Sequence, residues 1–477
     1  WCFKDQDELV FKNESRIKYV HPPYNSEEDL KNAQRRVFYY SDRHLKRVAK
    51  KWGSPKTDID AEKYWNGILM PWLISIVEHT IRYYDQISNY NFSSEYSVRI
   101  FQDKEEFKFS TTLDLMNRLR TDEWFNHWFL SRVIESINLK NIKIQYIDLR
   151  STYEDTIIQK KPTLYSLLIK LIVSAKKKYI FITKNILLGN IYGINNLDFL
   201  YLMIKLKRFK KRIKINKRHV FSSNQITTDE LLDNLIEKIL DKTLPINLNP
   251  EEISKRRSKN YLALTSVDHW YNDRWKKDIA YNYDTVTTIG INHGGSGVWD
   301  VEPISHKLEY KGLDYFFTPG NADGENCVPI PMPALSRIAN THKRSNDNII
   351  IVCNPSYYNA RGICSGYKHS GFEHPVYKAI DKVNFINSLD NKIQKNIIIR
   401  PYRYSENQFN EIEYIESNIP GIPKLYGNLH KEMKSCALIV MDHYSTTIPI
   451  AMAMNVPIIL FWDERRYFFK KKPLKII

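Results

Sequence analysis

Glycine is scarce in this sequence, with 16 in 477 residues, about half the share of an average chain. Cysteine is scarcer still: Cys2, Cys327, Cys353, Cys364 and Cys436 are the five, and no two form a CxxC pair. In a chain this long that excludes a disulfide scaffold and reads as reduced thiols in a reducing cytoplasm. No apolar run reaches the roughly 18 residues of a membrane span. The dense run at 199–204, FLYLMI, is short and passes straight into lysines. A signal peptide is lacking, and the opening Trp1-Cys2-Phe3 without methionine reads as an N-terminus missing its true start. Acidic residues are the minority, 54 Asp plus Glu against 71 Lys plus Arg, a net charge of +17. A surplus of this sign favours partners that carry phosphate or anionic headgroups and says nothing about fold. The Walker loop, GxSxG, HExxH and GxGxxG are absent, so those nucleotide, hydrolase, zinc and dinucleotide chemistries lack their signatures.

The hydrophobic fraction of 43% is ample for packed cores, which excludes a disordered chain. The length implies two or three domains. Residues 1–60 are polar and charged with few periodic signals. Residues 60–90 read as a helix on the spacing of Tyr64, Trp65, Ile68, Leu69, Trp72, Leu73, Ile76 and Val77, with Pro71 marking a kink or a boundary. A second helical stretch covers 113–137. From Ile142 the period changes: Ile142–Ile147 and 179–183 read as strands, and 164–174 and 231–240 as helices. That alternation predicts βαβ units and a parallel sheet. The basic run at 205–218, KLKRFKKRIKINKR, is a solvated face or a patch for anionic lipid or phosphate.

The few glycines are unevenly placed. Four precede residue 290, and seven fall between Gly290 and Gly324. Glycine serves where the backbone takes positive φ or approaches a ligand, so this clustering predicts functional loops in the C-terminal half. The proline-rich 328–333, VPIPMP, reads as an extended linker, followed by a boundary near 335–347. Strands are then expected at 348–353, 396–400, 437–441 and 456–461. Helices are expected at 375–389, 405–418 and 448–454, a run of βα units like a doubly wound nucleotide-binding domain.

Three places can carry chemistry. In 437–463, ALIVMDHYSTTIPIAMAMNVPIILFWD, an apolar strand ends at Asp442. A loop with His443, Tyr444, Ser445, Thr446 and Thr447 opens a helix. Ser or Thr there caps free N–H groups, and the remaining N–H groups with the helix dipole make an anion site fit for a diphosphate. Capping with nothing bound is the alternative. In IGINHGGSGVW, His293 follows a strand end and precedes Gly294 and Gly295. It is either a proton acceptor or phosphate contact facing a cleft, or a histidine bonded in a tight turn. Arg400 and Arg403, after the strand at 396–400, either clamp a phosphate or carboxylate or make surface salt bridges. The set Cys353, Cys364, His369 and His374 fits no standard zinc spacing, and Asp5-x-Asp7 and Asp58-x-Asp60 follow no apolar strand.

The segment Asp442-x-x-Ser-Thr-Thr with Asn455-x-Pro resembles the donor-side motif of two-domain (GT-B) transferases of surface-polysaccharide assembly. His293-Gly-Gly is similar to the histidine–glycine motif that ends their N-terminal domain. Tyr64-Trp65, Pro71-Trp72-Leu73 and Tyr84-Asp85 resemble the N-terminal signature of O-antigen cluster transferases. The resemblance implies an α/β chain with two Rossmann-like domains facing a cleft. The parts would be a mostly helical N-terminal region at 1–140, an acceptor domain at 141–340 and a nucleotide-donor domain at 341–477. It implies a metal-independent glycosyltransferase with no cofactor beyond a nucleotide-sugar co-substrate. The acceptor would be a surface-polysaccharide or lipid-linked glycan, and the setting cytoplasmic, at the inner face of a bacterial membrane with a peripheral contact to anionic lipid. His293 would be the base or a donor contact. Ser445, Thr446 and Thr447 would hold the donor phosphates, Arg400 and Arg403 would neutralise them, and Asp442 would close the donor strand. Some relatives carry a second histidine where this chain has Arg400-Pro401-Tyr402-Arg403. Relatives end in a helix that crosses back, whereas this sequence stops at Ile477, which reads as a truncated last domain. Two other readings use the same features: a CDP-alcohol phosphotransferase of teichoic-acid type, and a non-enzymatic basic scaffold on anionic membrane or nucleic acid.

Overall fold

The structure is a computed structural model that describes residues 23–24, 26–54, 60–90, 92, 95–102, 107–147, 186–188, 226–248, 260–292, 308–309, 312–318, 326–330, 333–354, 373–402, 409–443 and 445–462. It is mixed α/β, and every pairing between its strands is parallel. The strand expected at 179–183, the helix at 164–174 and the basic run at 205–218 lie outside the described residues.

The N-terminal part is helical. Helix α1 (Glu27–Trp52) begins with a capping box: the Ser26 hydroxyl accepts from the Asp29 N–H while the Asp29 carboxylate accepts from the Ser26 N–H. Two orphan N–H groups are thereby satisfied. The sequence shows few periodic signals over this stretch. Its buried face mixes Leu30, Val37, Tyr40 and Leu45 with Gln34, Ser41, Asp42 and His44, so the apolar period is diluted. Helix α2 (Ala61–Ser88) continues past Pro71, which is therefore not a boundary; burial on nearly every side holds it. Strand β1 (Tyr96–Phe101) pairs with β2 (Ile142–Ile147) in a sheet of its own, so Ile142–Ile147 does not open the main sheet as the change of period suggests. Between them lie α3 (Thr112–Thr121) and α4 (Glu123–Ile137). Trp65, Trp128, Phe101, Phe109, Phe125 and Phe129 are fully buried here, each large ring contributing roughly 1.5–3 kcal/mol.

The first large sheet has the order β3-β4-β5-β6-β7: Ile186–Leu188, Tyr261–Thr265, Val286–Ile291, Tyr315–Thr318 and Cys327–Pro329. Helix α5 (Glu230–Thr243) precedes β4 and packs into the helical core. Helices α6 (Asp268–Tyr271) and α7 (Asp273–Tyr281) join β4 to β5. Every residue of β4 and β5 is buried, as expected of parallel strands covered on both faces. Gly290 is one of the clustered glycines, yet it sits inside β5. A Cβ there would lie 2.5 Å from both Leu313 and Phe316, so it serves packing and not a loop. The VPIPMP stretch is likewise no plain linker, because its start is β7 and its last proline opens α8 (Pro333–Ile338).

The second sheet comprises β8 (Ile349–Val352), β9 (Ile397–Arg400), β10 (Leu438–Met441) and β11 (Ile458–Leu460) in the order β11-β10-β8-β9. Helices α9 (Glu373–Asn387) and α10 (Asn391–Gln394) lie between β8 and β9; α11 (Glu411–Asn418) and α12 (Leu429–Met433) lie between β9 and β10. Helix α13 (Thr447–Met454) precedes β11 and ends at Asn455, whose φ of 65° gives a left-handed cap. Asn tolerates that conformation better than other non-glycine residues, which accounts for the Asn455-x-Pro457 pattern. Among the described residues, no helix is long and apolar enough to cross a membrane.

Candidate functional site

Strand order locates a ligand site in parallel sheets. The five-stranded sheet adds its described strands in one direction, whereas the four-stranded sheet reverses between β8 and β10. Ligands bind outside the carboxyl ends of the strands at such a reversal. The side chains at that spot are charged and buried.

Asp442 ends β10 and is 3% exposed. Its carboxylate accepts a short bond from the Lys382 ammonium and, at 2.8 Å, a bond from His443 Nδ1. Lys382 is fully buried and also donates to Glu411 Oε1 at 2.6 Å. Glu411 comes from the start of α11 and Lys382 from α9. One turn before it stands Lys378, also buried. Cys353, at the end of β8, completes the group at 3% exposure.

These charges compensate one another. Burial opposes the ammonium of Lys382, but the Asp442 and Glu411 carboxylates outweigh it and raise its pKa. Burial likewise opposes the Asp442 carboxylate, and Lys382, the His443 bond and Lys378 together hold it well below the usual range. Burial pushes His443 down to about 4 despite its bond to Asp442. The imidazole is therefore neutral at pH 7, with Nδ1–H given to Asp442 and Nε2 left as an acceptor. Burial, then Glu411, pushes the Cys353 thiol up, so it is no ready thiolate. Two lysines against two carboxylates leave the group electrically neutral, and such a network fixes geometry by being fully satisfied.

Arg400 ends β9 at the same edge. The register aligns Arg400 with Val352, and Val352 with Met441, so Arg400 stands two strand spacings from Asp442's strand, about 10 Å. Its Nη1 donates to the Leu425 carbonyl at 3.0 Å and its Nη2 to the Gly427 carbonyl at 2.9 Å. Carbonyl groups hold a guanidinium in place without neutralising it. Among the described residues no carboxylate pairs with Arg400, so the surface-salt-bridge alternative finds no partner here. At the start of α13 the Ser445 hydroxyl accepts from the Thr447 N–H at 3.2 Å, and the Ile448 N–H goes to the Ser445 carbonyl at 3.1 Å. Thr446 makes no side-chain cap bond and is exposed, and Pro449 has no N–H. What this turn offers a ligand is hydroxyl groups more than amides.

Of the residues singled out in the sequence, Arg400, Asp442, Ser445, Thr446 and Thr447 all stand at the carboxyl edge of the four-stranded sheet. His293, Gly294, Gly295 and Arg403 lie outside the described residues, as do Tyr444, Cys364 and His369. The sequence reading missed Lys378, Lys382, Glu411 and the pairing of His443. A signal for the lysine was present: Ala379, Val383 and Ile386 form the buried stripe of α9, and Lys382 falls three residues after the first and four before the last, inside that stripe.

The sequence model described as LIC12162 family transferase matches residues 1–476. No curated protein gives a significant match to the chain.

Proposed function

The chain belongs to the LIC12162 family of transferases, and within that membership we propose that it moves a sugar from a nucleotide-activated donor to a surface-polysaccharide or lipid-linked glycan acceptor. The observation that carries the reading is Arg400. It is a guanidinium held by backbone carbonyls, without a carboxylate partner among the described residues, at the edge where the strand order reverses. A leaving nucleotide diphosphate develops negative charge on the oxygen that departs from the sugar. Fixed cationic and hydroxyl groups stabilise that charge without reorganising. In this reading Arg400, with Arg403, takes the diphosphate, and Ser445, Thr446 and Thr447 donate hydroxyl bonds to it. The Lys382–Asp442–Glu411 network, with Lys378 beside it, keeps the end of β10 rigid behind them. His443 offers an acceptor nitrogen in the tautomer that Asp442 selects. Two GT-B domains around a cleft, working at the inner face of a bacterial membrane, are the arrangement this reading expects.

The test is a thermal-shift screen of the full chain with UDP, GDP, CDP and CMP. A nucleotide that binds the native state alone stabilises it by about 2.7 kcal/mol at a hundred times its Kd. One nucleotide is expected to raise the midpoint, and Ser445→Phe combined with Thr446→Phe to abolish the rise. The absence of a shift with every nucleotide refutes the donor site and favours the scaffold reading. Product analysis with the active nucleotide separates sugar transfer from polyol-phosphate transfer.

A further inference from the structure

The five-stranded sheet carries a second polar group at its own carboxyl edge. After β4 the chain turns through Ser266 and Val267 into α6. The turn is locked: Thr265 Oγ1 accepts from the N–H groups of Val267 and Asp268, at 3.1 and 2.8 Å, and donates to Asp268 Oδ2 at 2.9 Å. Asn272 donates to the other Asp268 oxygen at 3.0 Å. That rigid turn presents His269, whose side chain is 9% exposed. Among the described residues neither ring nitrogen has a hydrogen bond, and the Ser266 hydroxyl, fully buried, has none either. Glu309 Oε1 lies 3.6 Å from His269 Nε2. The same oxygen accepts from Trp270 Nε1 at 3.4 Å.

Three polar atoms without a hydrogen bond among the described residues fall within four residues here; the same density occurs at Ser41, Asp42 and His44 in α1, but Ser266 and His269 stand at the carboxyl edge of a parallel sheet, where such folds bind ligands. Each costs about 1–3 kcal/mol if nothing ever meets it, and native interiors hold few of them. The composition of the spot says what meets them. Glu309 and Asp268 bring negative charge, which disfavours a phosphate or carboxylate. An imidazole and a hydroxyl, both able to donate and to accept, suit an uncharged hydroxyl group. The partly exposed Trp270 indole adds a flat apolar face of the kind that covers sugar C–H groups.

The geometry points to an acceptor site: His269 with Ser266 binds a hydroxyl of a polyhydroxylated, sugar-type molecule, and Glu309 positions the imidazole through Nε2. This rests on the transferase reading above. In the transfer step the acceptor O–H proton passes to His269, and the freed oxygen pair forms the new bond to the anomeric carbon. The bond from that carbon to the donor phosphate oxygen breaks, its electron pair leaving on the phosphate. The gap of 3.6 Å between His269 and Glu309 is of the kind that closes when substrate binds.

The experiment uses the full chain and saturation-transfer NMR with a panel of methyl glycosides, alongside the nucleotide thermal shift. At least one glycoside is expected to bind the wild type. His269→Ala should weaken it by roughly tenfold or more, the loss of a hydrogen bond to a buried group. His269→Gln, which keeps a hydrogen-bonding side chain, should retain more binding. Glu309→Gln should leave glycoside binding near wild type and lower transfer by roughly 10²-fold, because it orients the base without touching the acceptor. The nucleotide shift should persist in every variant, which also reports that each is folded. Glycosides that bind neither protein, or that bind wild type and His269→Ala equally, overturn the assignment. Loss of glycoside binding in His269→Ala without any nucleotide shift in the wild type upholds the acceptor site and refutes the donor reading instead.

Discussion

Replacing Lys382 by Met tests the buried network at the end of β10. The ammonium bonds Asp442 and Glu411 at once, and all three side chains are almost wholly buried. Met fills much of the volume, so the cavity contribution is small and the electrostatic one dominates. Two carboxylates then lose the ammonium that bonded both, and Lys378, which acts on Asp442 through charge alone, is the cation that remains beside them. Removing one partner of a buried pair costs about 3–5 kcal/mol, a large part of the roughly 5–15 kcal/mol that holds a domain. The cost should depend on pH in a defined sense. In the variant, burial and mutual repulsion raise the carboxyl pKa in the folded state. A raised folded pKa gives stability that is present at low pH and lost as pH rises through it. The deficit against wild type should therefore be larger at pH 8 than at pH 5. Urea unfolding at both pH values measures it, and hydrogen exchange in peptides covering β8 and β10 localises it. Adding Asp442→Asn and Glu411→Gln to Lys382→Met should recover most of the loss, because the unpaired charges are then gone. A deficit under about 1 kcal/mol, or one that is the same at both pH values, refutes the reasoning.

Two further outcomes follow from the buried groups. Burial lowers both His44 and His443 to about 4. Between their unfolded value near 6.5 and about 4 the unfolded chain binds more protons than the folded one. Stability therefore falls with pH across that window, by on the order of 3 kcal/mol for each histidine at full effect. A melting temperature that is flat from pH 6.5 to 4.5 contradicts this, and His44→Gln should flatten the slope in part. Gly290→Ala forces a methyl to within 2.5 Å of Leu313 and Phe316 in a packed sheet, an overpacking that costs about 1–3 kcal/mol. A change in unfolding free energy below about 0.5 kcal/mol would mean that the neighbouring strand moves aside freely.

The sheets were legible in the sequence because strands buried on both faces are continuous apolar runs. The runs read at 348–353, 396–400, 437–441 and 456–461 overlap β8, β9, β10 and β11, and the strand end read before His293 is that of β5. Helix α1 was not legible, since four polar side chains on its buried face break the period. One of them meets a carboxylate of another helix, His44 standing 3.1 Å from Asp233, and Asp42 is paired within its own helix by Lys46 at 2.8 Å. Strand β4 was passed over as well, although YLALT is wholly buried; five residues are too few to stand out without their neighbours.

The same limit explains the candidate site. Asp442 and the hydroxyl loop could be found by local pattern, because a strand end and a helix start are adjacent in sequence. The network behind them joins residues 29 and 60 positions apart, and no local period reports that. Lys382 still announced a constraint. A lysine in the middle of an apolar helical stripe must meet carboxylates inside the protein, since its isolated charge costs far more than a helix face repays. With α9 lying between β8 and β9, the carboxylates that can meet it stand at the ends or starts of the elements around it. Asp442, closing an apolar strand, and Glu411, opening the next acidic helix, satisfy that condition. A charged residue out of phase with its own helix is therefore a better pointer to the functional edge of such a sheet than the glycines, one of which proved to be packing in β5.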